Sequence, residues 1–169
     1  EAIRALVTLA GSCWKPQEER IKEYCSAILP LLEHPGQAVR RDAVVALADL
    51  QYEKVFSVIE PLLKDESPEV RRAAVQTFML EGSGEHMSSL IPLLKDNDLK
   101  IRLNVIWMMV HTKAVELAAE LVPIANGQDL ENSVNEGTVQ RDEALRLQRA
   151  AIRALGYLEQ DSYADEVAG

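Results

Sequence analysis

The chain has 169 residues and a net charge of −9, from 27 acidic against 18 basic side chains, a balance that repels a phosphate backbone unless positive charge gathers on one face; nucleic-acid binding is therefore a remote reading. Apolar residues at 47% suffice for a packed core, and aromatics at only 5% leave most of it to Leu, Ile, Val and Ala, a composition suited to stacked helices. Two cysteines, Cys13 and Cys25, form no CxxC pair; with neither a disulfide framework nor a zinc signature, both are expected as reduced thiols in or near a helical core.

No apolar run approaches the roughly 20 residues that span a bilayer, and residues 1–20 lack the pattern of a signal peptide, so a cytoplasmic setting away from membranes is expected. In chain order, Ala2-Ile3-Arg4-Ala5-Leu6 matches Ala43-Val44-Val45-Ala46-Leu47, which places the N-terminus inside a helix. A longer helix is expected from about Pro16 or Gln17 to Glu33, with Trp14 near its start. It contains the first of four prolines, Pro30, Pro61, Pro92 and Pro123, that stand 31 residues apart. Equal spacing of this kind marks a repeat architecture.

The third unit shows the design most clearly. Val55, Phe56, Val58, Ile59, Leu62 and Leu63 give a first helix, A, over Glu53 to Lys64 with Pro61 near its end. Ser67 suits an N-cap and Pro68 the first helical position, so a second helix, B, runs from Pro68 to about Leu80 with Val70, Ala74, Val75, Phe78 and Met79 buried. Gly82-Ser83-Gly84 supplies the turn onward. The same B helix recurs one period away: Val39-Arg40-Arg41, Val70-Arg71-Arg72 and Ile101-Arg102-Leu103 align. The next recurrence, Gln148-Arg149-Ala150-Ala151-Ile152, comes 15 residues late. The excess falls in the polar, acidic stretch 127–142, which is expected as an inserted loop, either tolerated or used for binding. Asp161 to Val167 reads as the opening of a further helix A. Because both ends fall within repeats, residues 1–169 are expected to be one repeat array and a fragment of a longer one.

The Leu/Ile-Pro-Leu-Leu of helix A, the pattern from Asp65 through Val70-Arg71 to Ala73-Ala74, and Leu155-Gly156-Tyr157-Leu158 resemble HEAT repeats. With a period shorter than the usual 40–47 residues, the chain resembles the short HEAT-like subclass named after phycobilisome lyases. The resemblance implies an all-α α-solenoid: a right-handed superhelix of antiparallel helix pairs, with B helices lining the concave side. It also implies a ladder in which Asp65 pairs with Arg71 and Asp96 with Arg102, His34 replacing the acid opposite Arg40.

Alignment of the B helices assembles one column of Arg41, Arg72, Leu103 and Arg149, and a second, one turn on, of Arg4, Val45, Gln76, Trp107 and Arg153. Residues four apart share a helix face. Arg4, Arg41, Arg72, Gln76, Trp107, Arg149 and Arg153 are the candidate partner-binding residues, since Arg and Trp are enriched at binding hot spots; the partner expected is another protein, through an acidic or mixed acidic and apolar segment. The structural alternative pairs these arginines with Asp42, Glu69 and Asp142 and uses Trp107 to plug neighbouring repeats. His34, His86 and His111 fall at unrelated repeat positions and suggest no metal site, no nucleophile has an activating context, and no phosphate loop is present. No cofactor or catalysis is expected. The leading reading is a non-enzymatic protein-interaction scaffold; the alternative is an enzyme-associated module, either bilin-lyase-like or the regulatory part of a larger enzyme.

Overall fold

In the computed structural model, the described residues are 18–52, 54–81, 84–128 and 138–168. Arg4, Cys13, Trp14, and Gly82 and Ser83 of the expected turn lie outside them. Regular structure among these residues is entirely helical, with no strand, and the architecture is of the all-α, α-solenoid type. The chain divides into two compact units, residues 1–81 and 82–169.

In the first unit, α1 (Glu18–Ile28) passes into a 3-10 turn at Leu29–Glu33, followed by α2 (Gln37–Asp49), α3 (Val55–Ile59) with a 3-10 turn at Glu60–Lys64, and α4 (Pro68–Glu81). The prolines explain the composite A helices. Each 3-10 segment begins one residue before its proline, whose missing N–H and bulky ring break the α-helical ladder; the chain tightens into the shorter-range bonding of a 3-10 turn. Pro30 and Pro61 are exposed. The core forms where α2 packs on α4 and each B helix packs on the 3-10 turn before it, burying Ile28, Ala43, Leu47, Ile59, Val70 and Val75 almost completely. Phe56 and Phe78 bring A and B together, with ring centroids 5.1 Å apart. In α4, Thr77 is buried while Met79 is only half-buried. Its hydroxyl donates to the Ala73 carbonyl at 3.0 Å, so the polar group enters the core already bonded. Cys25 is a buried free thiol, and burial pushes its pKa up.

In the second unit, a 3-10 turn (Gly84–His86), α5 (Met87–Leu90) and a 3-10 turn at Ile91–Lys95 make up helix A, and α6 (Leu99–His111) is helix B. A 3-10 segment (Val115–Leu121) then precedes α7 (Val122–Ala125), and α8 spans Thr138–Ala168. Around Pro123 the order is reversed: the 3-10 segment comes first, and the proline sits in the opening turn of an α-helix. There the missing N–H has no helical partner to lose. α8 packs on α6, α7 and Val115–Leu121 around Ile101, Met109, Leu121, Leu147, Ala151 and Leu158.

Two expectations about α8 change. The helix begins at Thr138, within the stretch read as an inserted loop, and residues 129–137 of that stretch lie outside the described residues. It also runs through 161–167 without a turn, where a separate helix A was expected. Its 31 residues contain no proline, and the one glycine, Gly156, is no sufficient breaker.

Candidate functional site

Two kinds of position recur along the units: loops that lock each A helix to its B helix, and B-helix side chains that face solvent. The loops come first because they aim the B helices. Arg40, only 7% exposed, donates to both carboxylate oxygens of Asp65, each at 2.8 Å, and to Glu66 at 3.3 Å. Its remaining nitrogen, Nη1, donates to the carbonyls of His34 and Pro35 at 2.9 and 3.1 Å. One guanidinium thus closes its own loop and clamps the loop of the following repeat within the first unit. The bidentate partner of Asp65 is thus Arg40, while Arg71, the partner implied by the resemblance, donates to the backbone carbonyls of Asp65 and Glu66 and acts on the carboxylate through its charge; Arg102 donates to the carbonyl of Leu94. Burial alone would raise the pKa of Asp65. The Arg40 and Ser67 hydrogen bonds and the charges of Arg40 and Arg71 outweigh it and hold the carboxyl below its ordinary value. Arg40 is correspondingly raised, chiefly by its hydrogen bond to Asp65.

Asp65 also accepts the N–H of Ser67 at 2.8 Å, and Asp96 accepts that of Asp98 at 2.8 Å. At the equivalent position His34 takes over the same task, its Nδ1 accepting the N–H of Gly36 at 2.9 Å, which places the ring proton on Nε2. A Cβ added at Gly36 would lie 3.2 Å from Nδ1. The imidazole fits where a carboxylate stands in the other units because Gly36 replaces Ser67 and Asp98. Ser67 caps α4 through its carbonyl, which accepts from Arg71 N–H at 3.1 Å, while its hydroxyl donates to Glu69 instead of accepting from the helix. Asp98 is the true side-chain cap, accepting from Lys100 and Ile101 N–H.

On the B helices, the register places Val45, Gln76, Trp107 and Arg153 at one position, and all four are exposed. The other column is less open: Arg41, Arg72 and Leu103 are half-buried and Arg149 is exposed. Within the first unit, Arg41 on α2 pairs with its neighbour Asp42 at 2.7 Å, as the structural alternative for that residue anticipated. Arg72 and Gln76 lie on α4, which packs against α2. Within the second unit, Trp107 is 45% exposed on α6. Its ring stacks on His111 with centroids 3.4 Å apart and planes 25° from parallel, and Nδ1 of that histidine lies 3.0 Å from the Trp107 carbonyl. Arg149 and Arg153 stand on α8, the helix packed beside α6. Sequence reading missed His111 as a support for Trp107, although its spacing of four residues on one helix was a usable signal.

Among the described residues, no group of three or more His, Cys, Asp or Glu side chains is arranged to hold a metal ion, and no helix is long and apolar enough to cross a membrane.

Residues 25–83 match the family model for HEAT repeats, which supports HEAT-type repeats there and does not specify the phycobilisome-lyase subclass. No curated protein matches the chain. Among solved structures, the crystal structure of an engineered protein from a structural genomics consortium aligns over 94% of this chain and 79% of its own, at 17% identity and a TM-score of 0.51. At that identity the likeness shows the fold alone.

Proposed function

We propose that the protein is a non-enzymatic interaction module whose B-helix face holds an acidic or mixed acidic and apolar segment of a partner protein. The HEAT match over residues 25–83 supports the general class, because such repeats are commonly protein-interaction scaffolds. The observation that carries the reading to a particular surface is Trp107: a large aromatic ring, 45% exposed, on a helix whose Ile101, Val105 and Met109 are buried. Packing of the α6 core does not require that ring to face solvent, and the His111 stack holds it in one orientation. A pre-ordered aromatic loses little conformational freedom when it is covered, and aromatic and arginine anchors dominate many interfaces.

Arg149 and Arg153 are both exposed on α8, the helix that packs on α6, and the repeat register sets Arg153 at the position of Trp107, which supports positive charge on the same face. In a chain of net charge −9, such a local reversal favours carboxylate-bearing segments and disfavours basic ones. Affinity capture from cell lysate with the wild type and with Trp107→Ala/Arg149→Glu/Arg153→Glu tests the reading. The triple variant, its helicity unchanged by circular dichroism, is expected to lose proteins that the wild type retains. An identical captured set removes this face from consideration.

A further inference from the structure

Helix α8 carries a second surface, bordering the B face and sharing Arg149 and Arg153 with it, that the repeat register brings out. Ile152 aligns with Val44 on α2 and Ile106 on α6. Val44 is fully buried on the helix that packs against α4, and Ile106 is 3% exposed on the helix that packs against α8. At this position, within each unit, the earlier B helix is covered by the later helix packed on it. Ile152 itself is 53% exposed. Leu145, 40% exposed, lies seven residues earlier, and with half-buried Gln148 and Leu155 these residues follow the alternating three- and four-residue spacing of a helix-pairing seam. The seam has the shape of a junction between helices.

The chemistry beside it favours one kind of occupant. Gln148 stands where Arg40 stands, and it keeps half of that residue's role: its Nε2 donates to the Ala125 carbonyl at 3.0 Å, closing its own loop. A neutral amide supplies no guanidinium fork for the aspartate of another repeat, the contact that Arg40 makes with Asp65. Positive charge lies instead along one border of the seam, where Arg146, Arg149 and Arg153 are all exposed. Residues 144–158 contain these three arginines and no Asp or Glu. A second copy of residues 144–158 would bring the same arginines with no carboxylate to meet Arg149 and Arg153; the carboxylates of α8 lie beyond that segment, the nearest being Asp142, Glu143 and Glu159.

Resting on the reading of the protein as an interaction module, we infer that the Leu145–Gln148–Ile152–Leu155 seam docks a single amphipathic helix of a partner, its apolar stripe on Ile152 and its carboxylates facing Arg149 and Arg153. Helix pairing of this kind uses apolar anchors at intervals of three and four residues for affinity and flanking charge for orientation.

The test is fluorescence anisotropy on the full 169-residue chain with a labelled synthetic helical peptide carrying leucines at the seam positions and glutamates on one flank, against the same peptide with lysines in place of glutamates. The glutamate peptide is expected to bind saturably and about tenfold more tightly than the lysine peptide, and Ile152→Glu, at an exposed position, is expected to abolish binding without loss of helicity. Equal binding of the two peptides, or undiminished binding by Ile152→Glu, overturns the inference. So does concentration-dependent self-association removed by Ile152→Glu, which makes the occupant a second copy. Trp107→Ala separates the two surfaces: loss of peptide binding in that variant with retention in Ile152→Glu overturns the seam and leaves the B face standing.

Discussion

The loops and the B face obey the same period but use it in opposite ways. At the loops, chemistry is preserved even where residues change: His34 does for Gly36 what Asp65 does for Ser67 and Asp96 for Asp98. On the B face, exposure is preserved and chemistry changes, so one position reads Val45, Gln76, Trp107 and Arg153. Three of these loop positions keep the hydrogen bond through different side chains, and the next in register, Gly127, has no side chain to supply it. Positions that face solvent share no such bond and are free to be shaped by a partner.

The sharpest way to break that comparison is to find that the two classes cost the same. Leu47 is fully buried on α2, and Leu47→Ala is expected to destabilise by about 2–5 kcal/mol, whereas Gln76→Ala on the exposed column should stay within roughly 0.5 kcal/mol. Chemical denaturation followed by circular dichroism measures both; a Gln76→Ala loss of similar size would make the column structural.

Next in size is the loop clamp. Asp65→Asn keeps the shape and removes the charge that meets the buried Arg40, and is expected to cost on the order of 1–3 kcal/mol at neutral pH. Because the folded-state pKa of Asp65 lies below the ordinary value of 3.8, its ionised form stabilises the fold above that value, and the contribution fades as the pH falls through the folded pKa. The stability gap between wild type and Asp65→Asn should therefore be level from neutral to about pH 5 and narrow below pH 4. A gap that widens on acidification would contradict the clamp.

This clamp also marks where the sequence stops being legible. The four prolines and the recurring Val-Arg-Arg were enough to place helix pairs, buried stripes and the exposed column. They were silent on which arginine holds Asp65, because Arg71 lies six residues after it and Arg40 lies 25 before it, and the two offsets together make one period of 31. A periodic sequence presents both pairings equally; only the packing of α2 on α4 selects the longer one. Likewise, the continuation of α8 past Asp161 rests on the absence of a strong breaker, a weaker signal than the proline register that suggested a new unit. The exposure of Ile152 was hidden for the opposite reason: its aliphatic character is what a buried B-helix position displays elsewhere.

The smallest effect tests whether loop ends are as constrained as loop starts. Gln51 and Lys113 stand two periods apart, and both have φ of 52°, the left-handed region that side chains with a Cβ enter at a cost of roughly 1–2 kcal/mol. Each terminates a B helix by the same paired bonds: Tyr52 N–H to Leu47 carbonyl and Gln51 N–H to Ala48 carbonyl in one, Ala114 N–H to Met109 carbonyl and Lys113 N–H to Val110 carbonyl in the other. Glycine suits this cap best, and the sequence carries Gly82 at the position midway between them. Both Gln51 and Lys113 are exposed, so replacement removes little packing. Gln51→Gly and Lys113→Gly are each expected to stabilise by about 0.5–1 kcal/mol, the relief of backbone strain exceeding the added freedom of the unfolded chain. Urea midpoints for the two variants give the answer. A loss at either site would mean that its side chain contributes more to the cap than its backbone conformation costs, which would move that helix end from the interchangeable class to the one that the loops define.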